Sequence, residues 1–217
     1  YASMNQLVVI THAEDHRLNA DGVMNEGLYS TSYGLMGVPP ESEVIAIARD
    51  IELARLTKAR LHVAHISTAR SVELIKRAKA EGLSVTAEVT PHHFTLTDQL
   101  LGTYNTNLKM NPPLRSARDV EALKEGLKDG TVGMIATDHA PHTEEEKMLE
   151  FNDAPAGTTG LETAVGVALT ELYHKKWLTL AQMVEKFSMN PAKLLKLEDY
   201  GTIQEGKMAN ITLVDTE

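Results

Sequence analysis

Four apolar, β-branched runs in this sequence are followed at once by side chains that can bind metal or move protons. His12 follows Val8-Val9-Ile10-Thr11, His65 sits in Val63-Ala64-His65-Ile66-Ser67, His92 and His93 follow Val89-Thr90-Pro91, and Asp138-His139 follow Ile135-Ala136-Thr137. In a parallel α/β barrel the carboxyl ends of the strands converge on one face, where residues distant in sequence meet. His12, His65 and Asp138 would then offer two imidazoles and a carboxylate to a common point. Neutral imidazole and carboxylate bind a divalent metal such as zinc without any thiolate, and the chain has no cysteine to supply one. Each residue also has a plainer reading. A lone histidine at a strand end is most often a hydrogen-bonded packing residue, and an aspartate there commonly caps the next turn. By strand alternation His62 reads as packing. His16 and His174 read as surface, and the acidic runs Glu14-Asp15 and Glu144-Glu145-Glu146 as solvated.

Strands must position these groups, and the pattern supplies them. Leu7 to Ile10 is too apolar for an exposed strand and reads as a buried parallel one. Behind Pro39-Pro40, Val44, Ile47, Ala48, Ile51 and Ala54 trace the apolar stripe of a helix over 41–57. Leu61 to Ile66 and Ser84 to Thr90 read as strands, with a helix over 70–81 between them that ends at Gly82. Ser116 and Asp119 form a capping-box signature for a helix over 117–128, closed by Gly130, and Val132 to Thr137 is the fourth strand. Two further helices are expected over 161–175 and 180–188. Strand and helix in alternation imply an α/β class with a parallel sheet, because parallel strands need crossover connections. Four such units are half of the eight that close a barrel, which leaves two open edges. Gly201 to Val214 changes character and reads as short β ribbon.

Composition narrows the classes. With 217 residues, 42% of them hydrophobic, the chain can bury a sizeable core. Thirty acidic against 21 basic residues give a net charge of −9, without a run of Lys or Arg, so nucleic acid is not an expected partner. The lack of cysteine excludes disulfide scaffolds and thiol catalysis and suits a reducing cytoplasm. No stretch nears the roughly 18 apolar residues of a membrane span, and no basic-plus-apolar leader opens the chain. The start at Tyr1-Ala2-Ser3 and the stop just after a strand-like run read as a piece of a longer protein.

The strings Thr11-His12-Ala13-Glu14-Asp15, His62-Val63-Ala64-His65-Ile66-Ser67-Thr68, Glu88-Val89-Thr90-Pro91-His92-His93, Lys109-Met110-Asn111-Pro112-Pro113-Leu114-Arg115 and Ala136-Thr137-Asp138-His139-Ala140-Pro141-His142 occur in order. Together they resemble the dihydroorotases of the amidohydrolase superfamily, of the longer bacterial type. Gly160-Leu161-Glu162-Thr163, Asn190-Pro191-Ala192 and Gly206-Lys207-Met208-Ala209-Asn210 continue the match. The resemblance implies the second half of a (β/α)8 barrel over 1–197 and the start of a small β domain over 198–217. It implies a zinc-dependent cyclic amide hydrolase, with one or two zincs, interconverting dihydroorotate and N-carbamoyl-aspartate in pyrimidine biosynthesis. His12 and His65 match the zinc-binding histidines of the fifth and sixth strands, and Asp138 matches the metal-binding general base of the eighth. Asn111 and His142 match substrate-contacting positions, and Ala156-Gly157 match a loop pair that offers main-chain contacts, although many relatives have Pro in place of Ala156. The family's first-strand His-x-His with its Arg, its substrate Asn, and the bridging Asp or carboxylated Lys have no counterpart in this chain, so the chain by itself is expected to be inactive. A homodimer and an aspartate transcarbamoylase partner are family habits. The rival readings are a hydantoinase or allantoinase, which lacks the Asn-Pro-Pro-Leu-Arg loop, and a catalytically silent homologue serving as scaffold for aspartate transcarbamoylase.

Overall fold

The computed structural model describes residues 1–216. Strands and helices alternate as β1 (Val8–Thr11), α1 (His16–Asn19), β2 (Met24–Asn25), α2 (Leu28–Tyr33), β3 (Gly37–Val38), α3 (Glu41–Thr57), β4 (Arg60–Val63), α4 (Ala69–Ala80), β5 (Val85–Val89), α5 (Ala117–Asp129) and β6 (Met134–Ile135). Four of the strands form one wholly parallel sheet in the order β1-β4-β5-β6, with Val8 beside Arg60, Leu61 beside Val85 and Glu88 beside Met134. The α/β class and the parallel sheet are as the alternation implied. β2 and β3 pair separately in a short parallel ribbon.

The local signals explain where the crossover helices start and stop. Ser116 and Asp119 close the expected capping box on α5, and Gly130 follows it in the left-handed region at φ 82°. Thr68 caps α4 through the Ser71 amide, and Gly82, at φ 78°, lies just past its end. The inward stripes pack on one face of the sheet. Ile47 and Ile51 of α3, Ile75 of α4 and Leu123 and Leu127 of α5 meet Leu61 and Val63 of β4 and Val85, Ala87 and Val89 of β5 in one buried cluster. Alternation then sends Thr86 and Glu88 of β5, and His62 of β4, to the opposite face.

Three expectations change. β1 is not enclosed: it pairs with β4 alone, and Val9 and Ile10 are exposed at the sheet edge. The helices expected over 161–175 and 180–188 form, but neither is a regular α-helix throughout. A helix at Ala164–Ala168 widens into a π turn at Leu169–Tyr173, and one at Leu180–Val184 widens at Glu185–Met189 before Asn190–Leu195 resumes. Residues 201–214 form no strand; Ile203 and Leu213 stand 91% and 94% exposed. Short β segments need a neighbouring strand for their backbone groups, and among the described residues no strand lies beside them. No helix of the described residues is long and apolar enough to cross a membrane.

Candidate active site

The loops behind the carboxyl ends of β1 and β4 bring two of the expected residues together. Parallel pairing continues past β4, where Ala64 N–H donates to the Thr11 carbonyl and Ile66 N–H to the Glu88 carbonyl. This sets His65 next to His12. His12 Nδ1 lies 3.0 Å from His65 Nε2, with the rings edge to face at 4.6 Å. His65 takes up a positive φ of 32° and Asp138 one of 48°, conformations that side chains other than glycine seldom adopt and that recur at functional sites. Asp138 lies within electrostatic reach of His65. Burial, followed by the neighbouring His12, lowers the His65 pKa, while Asp138 and Glu88 oppose that shift. Among the described residues no three His, Asp or Glu side chains gather closely enough to hold a metal ion.

The donor set and its spacing suit a divalent metal in part. Two nitrogens each about 2.0–2.1 Å from a tetrahedral zinc lie roughly 3.3 Å apart, a few tenths of an ångström from the separation found here. His65 Nδ1 and His92 Nε2 are buried without a hydrogen-bond partner, and such atoms call for a ligand or water. By their spacing His12 Nδ1 and His65 Nε2 can supply two ligands, with Asp138 the carboxylate whose charge reaches His65.

Around this pair the structure corrects the reading of Glu14 as solvated. Its side chain is only 9% exposed. Glu14 Oε2 lies 3.0 Å from His12 Nε2, accepts from Asn111 Nδ2 at 3.3 Å, and stands 3.6 Å from His16 Nδ1. Asn111 is thus tied to His12 through Glu14. A cleft of about 10 Å³, room for one water, is lined by His12, Glu14, Glu43, Asn111 and Arg115. A larger cleft of about 320 Å³ opens at the amino ends of the strands, where Arg60 and Lys79 are already bonded to backbone carbonyls.

The loop carrying Asn111 is held from both sides. On one side His93 Nε2 lies 2.9 Å from the Pro112 carbonyl and its Nδ1 2.7 Å from Thr90 Oγ1. A carbonyl only accepts, so Nε2 carries the proton and Thr90 donates to Nδ1. Burial above all holds His93 well below the usual histidine pKa, which favours this neutral form. On the other side the buried Arg115 donates from Nε to Ser67 Oγ at 3.1 Å and from Nη1 to Asn25 Oδ1 at 2.9 Å and the Val38 carbonyl at 3.0 Å. Ser67 is in turn gripped by Glu43, which accepts from the Ser67 and Thr68 amides and from the Ser67 and Ser71 hydroxyls. Asn25 completes the network by donating to Asp98 Oδ2 at 2.7 Å, and burial raises the Asp98 pKa.

His142, Ala156 and Gly157 form a second group. His142 Nε2 donates to the Ala156 carbonyl at 3.0 Å. The Gly157 amide donates to the Lys109 carbonyl and the Gly157 carbonyl accepts from Lys147 Nζ, which joins this segment to the Asn111 loop. Three of the four backbone groups of Ala156 and Gly157 are thereby engaged within the chain. At φ 133° Gly157 has no room for a side chain, since a Cβ would meet Ala140 at 2.9 Å. His139 ties the Asp138 loop to the same segment by accepting from the Gly160 amide, so it serves as a cap. Sequence reasoning missed Glu43, Arg115, Asn25 and Asp98. A signal existed for the first, an acidic residue four positions from Ile47 on the apolar stripe of α3.

Two curated proteins named dihydroorotase resemble the chain along its whole length. It is 55% identical to that of Pelotomaculum thermopropionicum over 217 residues, all of this chain and 51% of the relative. It is 54% identical to that of Carboxydothermus hydrogenoformans over 215 residues, 99% of this chain and 50% of the relative. The chain spans about half the length of the curated relatives it matches. Among solved structures, L-hydantoinase (dihydropyrimidinase) from Arthrobacter aurescens superposes at a TM-score of 0.84 and 30% identity, covering 96% of this chain and 48% of that one. Dihydropyrimidinase from Brevibacillus agri NCHU1002 gives 0.82 and 27%, covering 95% and 47%. The Amidohydrolase family matches residues 1–217. That match leaves no part of the chain outside it, and the chain belongs to the amidohydrolase family.

Proposed function

We propose that the chain is the carboxyl-terminal half of a zinc-dependent cyclic amide hydrolase that interconverts dihydroorotate and N-carbamoyl-aspartate in pyrimidine biosynthesis. The observation that carries this reading is the His12–His65 pair at the strand ends, with Asn111 of the Asn-Pro-Pro-Leu-Arg loop joined to it through Glu14. The names of the relatives support dihydroorotate over hydantoin: sequences 50–55% identical are called dihydroorotase, whereas the hydantoinase structures are 25–30% identical. Residues 1–197 belong to the barrel, and the segment 198–217 would become a small β domain only beside strands from elsewhere, since residues 201–214 form no strand here. The setting is the cytoplasm, and a homodimer or an aspartate transcarbamoylase partner follows family habit.

His12 and His65 would hold the zinc with Asp138, one zinc or two in the whole enzyme. When bound, the metal supplies Lewis acidity that polarises the amide carbonyl and acidifies water. The chain's own residues do the rest. Asp138 takes the proton of the attacking water and returns it to the departing ring nitrogen, so one carboxylate serves as base and then acid. Asn111 offers an amide donor and acceptor to the ring edge, and His142 donates to the substrate carboxylate once its Nε2–H is released from the Ala156 carbonyl. Ala156 and Gly157 line the same loop, with the Ala156 amide the backbone donor left for substrate. Neither Asn111 nor His142 neutralises an anion, a task the resemblance gives to an arginine outside this chain. The test is a rate comparison of dihydroorotate with hydantoin on the full-length protein. Faster turnover of hydantoin would favour the hydantoinase reading, and no turnover of either, with zinc bound, the scaffold reading.

A further inference from the structure

We propose that Glu14 is a positioning residue that sets the His12 ring for metal ligation and ties the Asn111 loop to that ring. The proposal rests on the metal reading above and extends it to a residue given no role there.

His12 Nε2 faces a carboxylate oxygen at 3.0 Å, and a carboxylate only accepts, so the proton of the neutral ring sits on Nε2. Nδ1 is then a lone pair, and it points at His65 Nε2. Metal-ligating histidines characteristically give their other N–H to a carboxylate, which fixes tautomer and ring orientation. The same Glu14 oxygen accepts from Asn111 Nδ2, so ring and loop are referred to one atom. Asp15, the next residue, is fixed independently: its backbone N–H donates to the Ser42 carbonyl and hydroxyl, and its carboxylate caps α1. The backbone that carries Glu14 is thus anchored at its neighbour. Flexible solvated carboxylates lack this arrangement, and the low exposure of the Glu14 side chain agrees with it.

The experiment uses the full-length protein and two readouts that need no substrate. Long-range ¹⁵N–¹H NMR of the metal-free protein in alkaline buffer should find His12 as the Nε2–H tautomer, and Glu14→Ala should give a mixture. Chelator competition with zinc should show Glu14→Gln and Glu14→Ala weakening affinity by roughly tenfold to a hundredfold. Circular dichroism confirms that both variants fold, and Glu14→Gln, close in shape, serves if Glu14→Ala does not. A wild-type His12 in the Nδ1–H form would overturn the proposal. So would variants whose tautomer and zinc affinity match the wild type within threefold. A full-length wild-type protein with the Nε2–H tautomer that takes up no zinc would instead overturn the metal reading, and the ligation claim with it.

Discussion

Replacing Arg115 by Met should cost the fold more than any exposed charge could. The guanidinium is 2% exposed and makes three hydrogen bonds, to Ser67 Oγ, Asn25 Oδ1 and the Val38 carbonyl. Hydrogen bonds to a charged group contribute about 1.5–3 kcal/mol each, but three on one fork do not add, and removing the guanidinium also relieves its own desolvation. The better guide is the loss of one partner from a buried ionic network, about 3–5 kcal/mol. Here the group left behind is Glu43, buried and one hydroxyl away across Ser67. Methionine keeps most of the volume, so the loss reports hydrogen bonding and charge rather than a cavity. With an m-value of about 2 kcal/mol/M in urea, the midpoint should fall by roughly 1.5–2.5 M. Arg115→Lys should fall between, because an ammonium keeps the charge but cannot span partners lying in different directions. Urea unfolding followed by circular dichroism measures all three proteins. A loss below about 1 kcal/mol for Arg115→Met, the size of an exposed pair, would refute the claim that this network holds the Asn111 loop.

In the full-length protein, Asp138→Asn should fold normally yet lose about 10²- to 10⁴-fold in turnover; retention of more than a tenth, about 1.4 kcal/mol of barrier, would sink the base assignment. His142→Ala and Asn111→Ala should raise KM while zinc stoichiometry by metal analysis stays that of the wild type; zinc lost along with activity would move both residues into the ligand set. Glu171 is bonded to Lys175 at 2.8 Å and Lys124 at 3.1 Å, and these bonds hold its carboxyl below the usual range. A lowered carboxylate stabilises the fold above its unfolded pKa of about 4.5, and that stability is lost as pH falls through the folded value. Glu171→Gln should therefore lower the melting temperature at pH 7 and narrow its gap to the wild type as the pH drops below 4; an unchanging gap would count against the linkage. The 217-residue chain alone should not turn over dihydroorotate, since catalytic zinc normally rests on three protein ligands held in place and the edge of β1 is uncovered. Turnover by fragment shown free of longer chain by mass spectrometry would mean the residues present suffice.

What the sequence made legible was local. Capping boxes at Ser116 and Thr179, glycines at 82 and 130, and the stripes of α3 to α5 depend on neighbours within a turn or two, so type and spacing determine them. The strand-end positions of His12, His65 and Asp138 were equally readable, because a β-branched run announces a strand and the next residues must lie at its end. Partners across the chain were not. Glu14 looks like half of an acidic run, and its distant partner is Asn111, 97 residues on. Glu43 breaks the apolar stripe of α3, and what makes it tolerable is Ser67 and Ser71 on another element. The π turns after 168 and 184 leave no residue-type signature, and the ribbon expected over 201–214 failed because a strand is defined by its neighbour.

These residues share a physical property. His65 and Asp138 adopt backbone conformations that cost a side chain about 1–3 kcal/mol each, Glu43 buries a carboxylate, and His65 and His92 bury unpartnered ring nitrogens. A sequence optimised for stability alone would remove each of them, so consistency across levels breaks where function is expected. They lie at the carboxyl ends of β4, β5 and β6 and in the network behind Arg115, whereas the strand bodies carry the apolar alternation that packs the core. The core thus supplies the rigidity against which the strand-end strain is held, and the His12–His65 pair stays in register because Ala64 and Ile66 extend the ladder on both sides of it.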